Sequence, residues 1–149
     1  MAKKKIVQNT KFNLKKVLIF WLPIVIWTTV IFLFSARPTV STSQIVWQDF
    51  IVKKTAHVIE YAILAMLLYR ALINSNVPKK EAGIYSIILA ILYGASDEFH
   101  QFFTPGREPR VRDLFFDALG SILSIYLITK YLIKAPQKIK ELAKKFQLI

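Results

Sequence analysis

Four stretches of the chain are apolar over lengths that suit a lipid bilayer. Residues 17–34, VLIFWLPIVIWTTVIFLF, run without a charge. That reaches the roughly 18 residues at which an apolar run reads as a membrane-spanning helix. Pro23 lies inside it, and a membrane helix tolerates an internal proline because neighbouring groups re-satisfy the freed backbone. Residues 56–73 form a second run, with His57 and Glu60 near its start and Arg70 near its end. Residues 82–95 form a third, and its helix is expected to continue through SDEFHQFF. Residues 114–133 form a fourth, with Asp117 near its start. The expected fold is all-α and polytopic, with four transmembrane helices making one domain over residues 17–133. A basic segment, 1–16, precedes it and a basic tail, 134–149, follows. In the tail Ile139, Leu142, Phe146 and Ile149 share one face and lysines fill the rest. That pattern predicts an amphipathic helix lying on the anionic inner leaflet. The first run is longer than the roughly 7–15 residues of a signal-peptide core, and Phe34 breaks the small-residue cleavage pattern, so an uncleaved helix is expected.

Composition agrees. Hydrophobic residues make up 54% of the 149 and mean hydropathy is +0.41, both high for a water-soluble domain. The net charge of +12, from 21 Lys and Arg against 9 Asp and Glu, raises nucleic acid as a partner. It equally suits a membrane protein with cationic flanks. The positive-inside rule decides between them. With four spans, the two termini and the middle loop share one side. That side carries Lys3, Lys4, Lys5, Lys11, Lys15, Lys16, Arg70, Lys79, Lys80 and the six lysines from Lys130 onward. The other side holds only Arg37, Lys53, Lys54, Arg107, Arg110 and Arg112. Both termini are therefore placed in the cytoplasm, and nucleic acid is not expected as a partner. The chain has no cysteine, which excludes disulfides and thiolate metal sites.

This topology delivers the unusual polar residues to one outer layer. The second span enters from outside, so Lys54, His57, Glu60 and Tyr61 lie in its outer turns. The third exits outward: Glu81 to Asp97 is about 24 Å at about 1.5 Å per residue, which puts Asp97 near the outer edge of a core about 30 Å thick. Asp113 and Asp117 open the fourth. Five of the nine acids, Glu60, Asp97, Glu98, Asp113 and Asp117, thus fall in or beside apolar runs. Ionisable groups at such depth are costly and face a bundle interior or a wet cavity.

Each motif has a functional and a bland reading. Lys54, His57 and Tyr61 stand at i, i+3 and i+7, one helix face, with Glu60 beside His57. His57 is either a carboxylate-tuned histidine for proton transfer, metal ligation or substrate contact, or an interhelical hydrogen bond. Lys54 is expected to snorkel to headgroups. Asp97, Glu98, His57 and His100 are a conceivable ligand set, but no metal-binding motif of recognised spacing appears. Ion pairs from Asp97 and Glu98 to Arg37, Lys54 or Arg107 are the favoured reading, so no metal and no cofactor is expected. Pro105-Gly106 marks a turn, followed by Arg107, whose guanidinium suits phosphate or carboxylate. Asp113 reads as a helix N-cap. Gly120 and Ser124 form a small-xxx-small pair for close helix packing.

Together these residues resemble the VanZ-like family of bacterial membrane proteins. That family's pattern runs Lys-x-x-His-x-x-x-Tyr, then Ser-Asp-Glu-x-x-Gln-x-Phe-x-Pro-Gly-Arg, an aspartate, and Asn-x-x-Gly. Here Lys54, His57 and Tyr61 supply the first part. Ser96, Asp97, Glu98, Gln101, Phe103, Pro105, Gly106 and Arg107 supply the second, and Asp113, Asp117 and Gly120 the rest. Asp117 stands where the family commonly has asparagine. The likeness covers residues 32–131. It implies a multi-pass protein of the bacterial cytoplasmic membrane, in a family whose namesake is associated with resistance to the glycopeptide teicoplanin.

Two functions stay open. In the first, an outer cluster of Lys54, His57, Tyr61, Ser96, Asp97, Glu98, Gln101, Arg107, Asp113 and Asp117 binds a lipid headgroup, a cell-wall intermediate or a lipophilic glycopeptide. In the second, the same cluster is a membrane-embedded hydrolase or transferase acting on a lipid-linked phosphate or amide. A cluster paired within itself favours the first. An open cleft with His57 in reach of Asp97 or Glu98 favours the second. The oligomeric state is not legible.

Overall fold

The computed structural model describes residues 14–36, 46–104 and 111–149. They form five α-helices, and no strand occurs among the described residues. Helix α1 is Leu14–Ser35, α2 Val46–Asn74, α3 Lys79–Gln101, α4 Val111–Tyr126 and α5 Gln137–Lys145. A π-helical stretch, Leu127–Tyr131, and a 3-10 turn, Leu132–Lys134, carry α4 onward. Among the described residues three helices are long and apolar enough to cross a membrane: α1, α2 from Phe50 to Asn74, and α3.

Helix boundaries follow local chemistry. Pro23 has no N–H, so the carbonyl of Ile19 loses its helical donor. Arg70 of α2 supplies one instead, from Nη1 at 3.4 Å. At the end of α2 the amide of Val77 donates to Leu72 O and that of Asn76 to Ile73 O. Asn76 takes φ 66°, so this is a Schellman cap with asparagine in the left-handed position. Pro78 follows and opens α3 two residues later. Helix α5 closes in the same way. Leu148 N donates to Ala143 O and Gln147 N to Lys144 O, with Gln147 at φ 57°.

Inter-helix contacts fix the directions. Trp27 Nε1 donates to Glu60 O at 2.9 Å and Arg70 reaches Ile19, so α1 and α2 are antiparallel. Tyr93 Oη donates to Thr28 O at 2.6 Å and Gln101 reaches Ser35, so α1 and α3 are parallel. Lys54 meets Asp113, His57 meets Asp117 and Tyr61 O meets Ser121. These pairs rise in step, so α2 and α4 are parallel. The chain therefore alternates direction through α1, α2, α3 and α4.

The helices pack by small residues. Ala82, Gly83, Ser86, Ala90 and Gly94 make a buried stripe on α3, and a Cβ on Gly120 would stand 2.2 Å from Val58 O. Only glycine allows α4 to sit that close to the α2 backbone. Tyr61, Leu64, Ala65, Leu68 and Leu72 of α2 form the core with Phe20, Ile24 and Ile31 of α1 and Ile125 beyond. The outer surface is also apolar: Leu18, Val25, Leu33, Ile59, Leu92, Leu119 and Ile122 are all exposed. Exposure on this scale exceeds the isolated apolar residues of a soluble surface, and a bilayer is the solvent that favours it.

Two element boundaries differ from the sequence reading. Helix α2 begins at Val46, ten residues ahead of the apolar run. The regular α-helix of α4 stops at Tyr126, where Thr129 Oγ1 takes the carbonyl of Ile125 at 2.7 Å and the backbone widens into the π-helical stretch.

Candidate functional site

The alternating directions bring the polar end of each helix to one end of the bundle. Ser35 closes α1. Lys54, His57 and Tyr61 lie on one face of α2. Asp97, Glu98 and Gln101 lie on the buried face of α3. Asp113 and Asp117 lie one turn apart on α4.

Two pairs join α2 to α4. Lys54 Nζ is bonded to Asp113 Oδ1 in a buried ion pair. His57 Nδ1 lies 2.8 Å from Asp117 Oδ1, and its Nε2 lies 3.9 Å from Asp113 Oδ2. The carboxylate at Nδ1 fixes the imidazole's orientation and leaves Nε2 turned toward Asp113. Asp117 is only 1% exposed. Its second oxygen lies 2.9 Å from the place a Cβ on Gly94 would take, so the glycine of α3 makes room for the carboxylate of α4. A third link joins α3 to α1. Gln101 Nε2 donates to Asp97 Oδ2 at 3.0 Å and to Ser35 Oγ at 2.9 Å. Ser121 Oγ returns to Asp117 O at 2.9 Å, which anchors α4 at the same level.

Several expectations change in this geometry. Lys54 does not snorkel to headgroups: it is buried, and Asp113 holds its ammonium inside the bundle. Asp113 is the third residue of α4, inside the helix rather than at its N-cap, and its carboxylate pairs with Lys54. His57 takes Asp117, on another helix, as its carboxylate partner. Ser96 is exposed and its hydroxyl turns back onto Tyr93 O at 2.7 Å, away from the cluster. His100 lies against Phe32, ring centroids 4.6 Å apart. Among the described residues no group of three or more His, Asp or Glu is placed to hold a metal ion, so Asp97, Glu98, His57 and His100 do not form one. Arg37, Pro105, Gly106, Arg107 and Arg110 lie outside the described residues.

Three contributors were absent from the sequence reading: Trp27, Tyr93 and Gly94. Gly94 had a usable signal, since it continues the i, i+4 series from Ser86 through Ala90 toward Asp97. The others act through interhelical hydrogen bonds to a backbone carbonyl, which leave no trace in spacing.

A bundle with an apolar exterior and a charged, interlocked polar end is the build of a helical membrane protein with a function-bearing end. The family follows from the same residues. The profile of the VanZ/LLP1 family matches residues 20–134, a span that includes every described residue of the cluster. The chain belongs to that family. Comparison with curated proteins and with solved structures returned no match.

Proposed function

We propose that the protein is a four-span protein of the bacterial cytoplasmic membrane whose outward-facing polar cluster binds the headgroup of an outer-leaflet lipid, a cell-wall intermediate or a lipophilic glycopeptide. In that role it contributes to teicoplanin-type resistance. The carrying observation is that Lys54–Asp113, His57–Asp117 and Gln101 with Asp97 and Ser35 pair within the cluster. Such a lattice is preorganised for recognition. Phe99, Phe102, Phe103 and Phe115 are exposed around the same end, as aromatic side chains are at a membrane–water interface. The helical continuation of α4 to Lys134 gives it about 36 Å at about 1.5 Å per residue, enough for a fourth span. At the opposite end α5 presents Ile139, Leu142 and Phe146 outward among lysines, which suits the inner leaflet.

The test is His57→Gln and Asp117→Asn, scored for membrane level and for susceptibility to teicoplanin beside vancomycin. Normal level with lost teicoplanin protection supports the proposal. Normal level with unchanged susceptibility removes the antibiotic from it, and loss of the protein from the membrane assigns the pair to structure.

The His57–Asp117 contact also favours a second reading. A carboxylate on Nδ1 is how an imidazole is held for acid–base work at Nε2. The cluster would then turn over a lipid-linked phosphate or amide. Under that reading Asp117→Asn keeps ligand retention and abolishes conversion of the retained molecule.

A further inference from the structure

Tyr61 Oη and Asp97 Oδ1 are among the side-chain atoms of the cluster that are fully enclosed and have no hydrogen-bond partner. The residues are 1% and 5% exposed. Both residues border Gly94. Tyr61 Cε1, beside the hydroxyl, lies 3.2 Å from where a Cβ on Gly94 would stand. Asp97 follows Gly94 by three residues on the same helix face. The two atoms do not bond each other, so a gap separates them. Leaving either one bare at membrane depth is costly, and more so for a charge than for a neutral polar group.

Charge indicates what the gap takes. Among the described residues, and leaving Glu98 aside, the cluster buries three carboxylates: Asp97, Asp113 and Asp117. Lys54 and His57 supply at most two positive charges, and both are spent on α4. Asp97 receives only the neutral Gln101 amide. Among the described residues, one negative charge is left uncompensated at this spot. Its donor atoms are a carboxylate and a phenol oxygen, which select a hard cation over a soft one. Full enclosure of both atoms admits a small occupant only. A deficit of one charge selects a monovalent ion over a divalent one.

We propose that Asp97 Oδ1 and Tyr61 Oη, framed by Gly94, form a binding site for one small monovalent cation, with sodium the fitting probe. Occupancy would neutralise Asp97 and tie α3 to α2, where the protein itself provides no polar link between those two side chains. The site shares Tyr61 and Asp97 with the cluster proposed to bind a headgroup, but it needs neither that ligand nor an antibiotic.

The experiment uses the full chain in nanodiscs of phosphatidylcholine alone, at fixed pH. Sodium chloride is exchanged for N-methyl-D-glucamine chloride at constant ionic strength, and the thermal unfolding midpoint is read. The midpoint should rise with sodium and saturate. Tyr61→Phe, which keeps the ring and removes the hydroxyl, should raise the half-saturating concentration about tenfold, the effect of one bond to a charged partner. Asp97→Asn should abolish the dependence. Equal midpoints in the two salts would overturn the proposal and leave the gap to water or a proton. So would a sodium dependence that survives Asp97→Asn. Should Asp97→Asn fail to fold, an unchanged half-saturation in Tyr61→Phe overturns it alone. The lipid is the same in every arm and only the salt changes, so the failure of headgroup binding and the failure of the cation site are read separately.

Discussion

At the residue scale, Lys54–Asp113 is the strongest test of how the polar end is held. Both groups are buried, so each charge depends on the other. Removing one partner strands the other at depth. Lys54→Ala or Asp113→Ala alone should cost about 3–5 kcal/mol. Lys54→Met combined with Asp113→Leu should cost less than either single change, because no charge is then left inside. A double-mutant cycle on unfolding free energies in detergent checks this, and additive costs would mean that the two residues act separately. Gly120 acts through space rather than charge. Its Cβ position lies 2.2 Å from Val58 O, a backbone atom that cannot turn aside. Gly120→Ala should therefore destabilise by about 1–3 kcal/mol or more and lengthen His57–Asp117, since both contacts share the α2–α4 register. The sequence named Lys54, His57, Asp113 and Asp117 individually, because charges inside apolar runs stand out. It did not name their pairing, because pairing depends on a helix register that Gly120 sets by close approach.

At the element scale, the C-terminal helix is latched rather than loosely tethered. Arg70 Nε donates to Phe146 O at 2.8 Å, and Nη2 to Gln147 Oε1 at 3.3 Å. Asn74 Nδ2 reaches Gln147 O at 3.1 Å. The same guanidinium lies 4.7 Å from the centre of the Phe20 ring and serves the carbonyl that Pro23 leaves open. One side chain thus ties α1, α2 and the end of α5 together. Arg70→Ala should speed amide exchange across α5 by about tenfold or more, given about 1.5–3 kcal/mol for a hydrogen bond to a charged group. Arg70→Lys should not restore protection, because an ammonium lacks the planar fork that spans two acceptors and stacks on a ring. Unchanged exchange in Arg70→Ala would place the hold on α5 in Leu148 and Ala143 instead. The amphipathic pattern of the tail was legible from Ile139, Leu142 and Phe146. The latch was not, since its acceptors are a backbone carbonyl and a glutamine with nothing distinctive in their spacing.

At the scale of the whole molecule, orientation decides which ligands are available. The alternating helix directions gather Ser35, Lys54, His57, Asp97, Gln101, Asp113 and Asp117 at one end, and Arg70, Lys79, Lys80 and α5 at the other. The first end is dense in acids and exposed phenylalanine; the second is dense in lysine. Under the proposed orientation the lysine end lies in the cytoplasm and the acid end faces the cell exterior. The chain has no cysteine, so a single introduced thiol reports without background. A cysteine replacing exposed Phe102 should react with a membrane-impermeant maleimide in intact cells. A cysteine replacing exposed Lys138 should react only after permeabilisation. The reverse pattern would turn the cluster toward the cytoplasm. Cell-wall intermediates in the outer leaflet and antibiotics arriving from outside would then be out of its reach, and the ligand would have to be an inner-leaflet headgroup. The buried pairs and the Asp97–Tyr61 gap depend on helix register alone and would stand in either orientation.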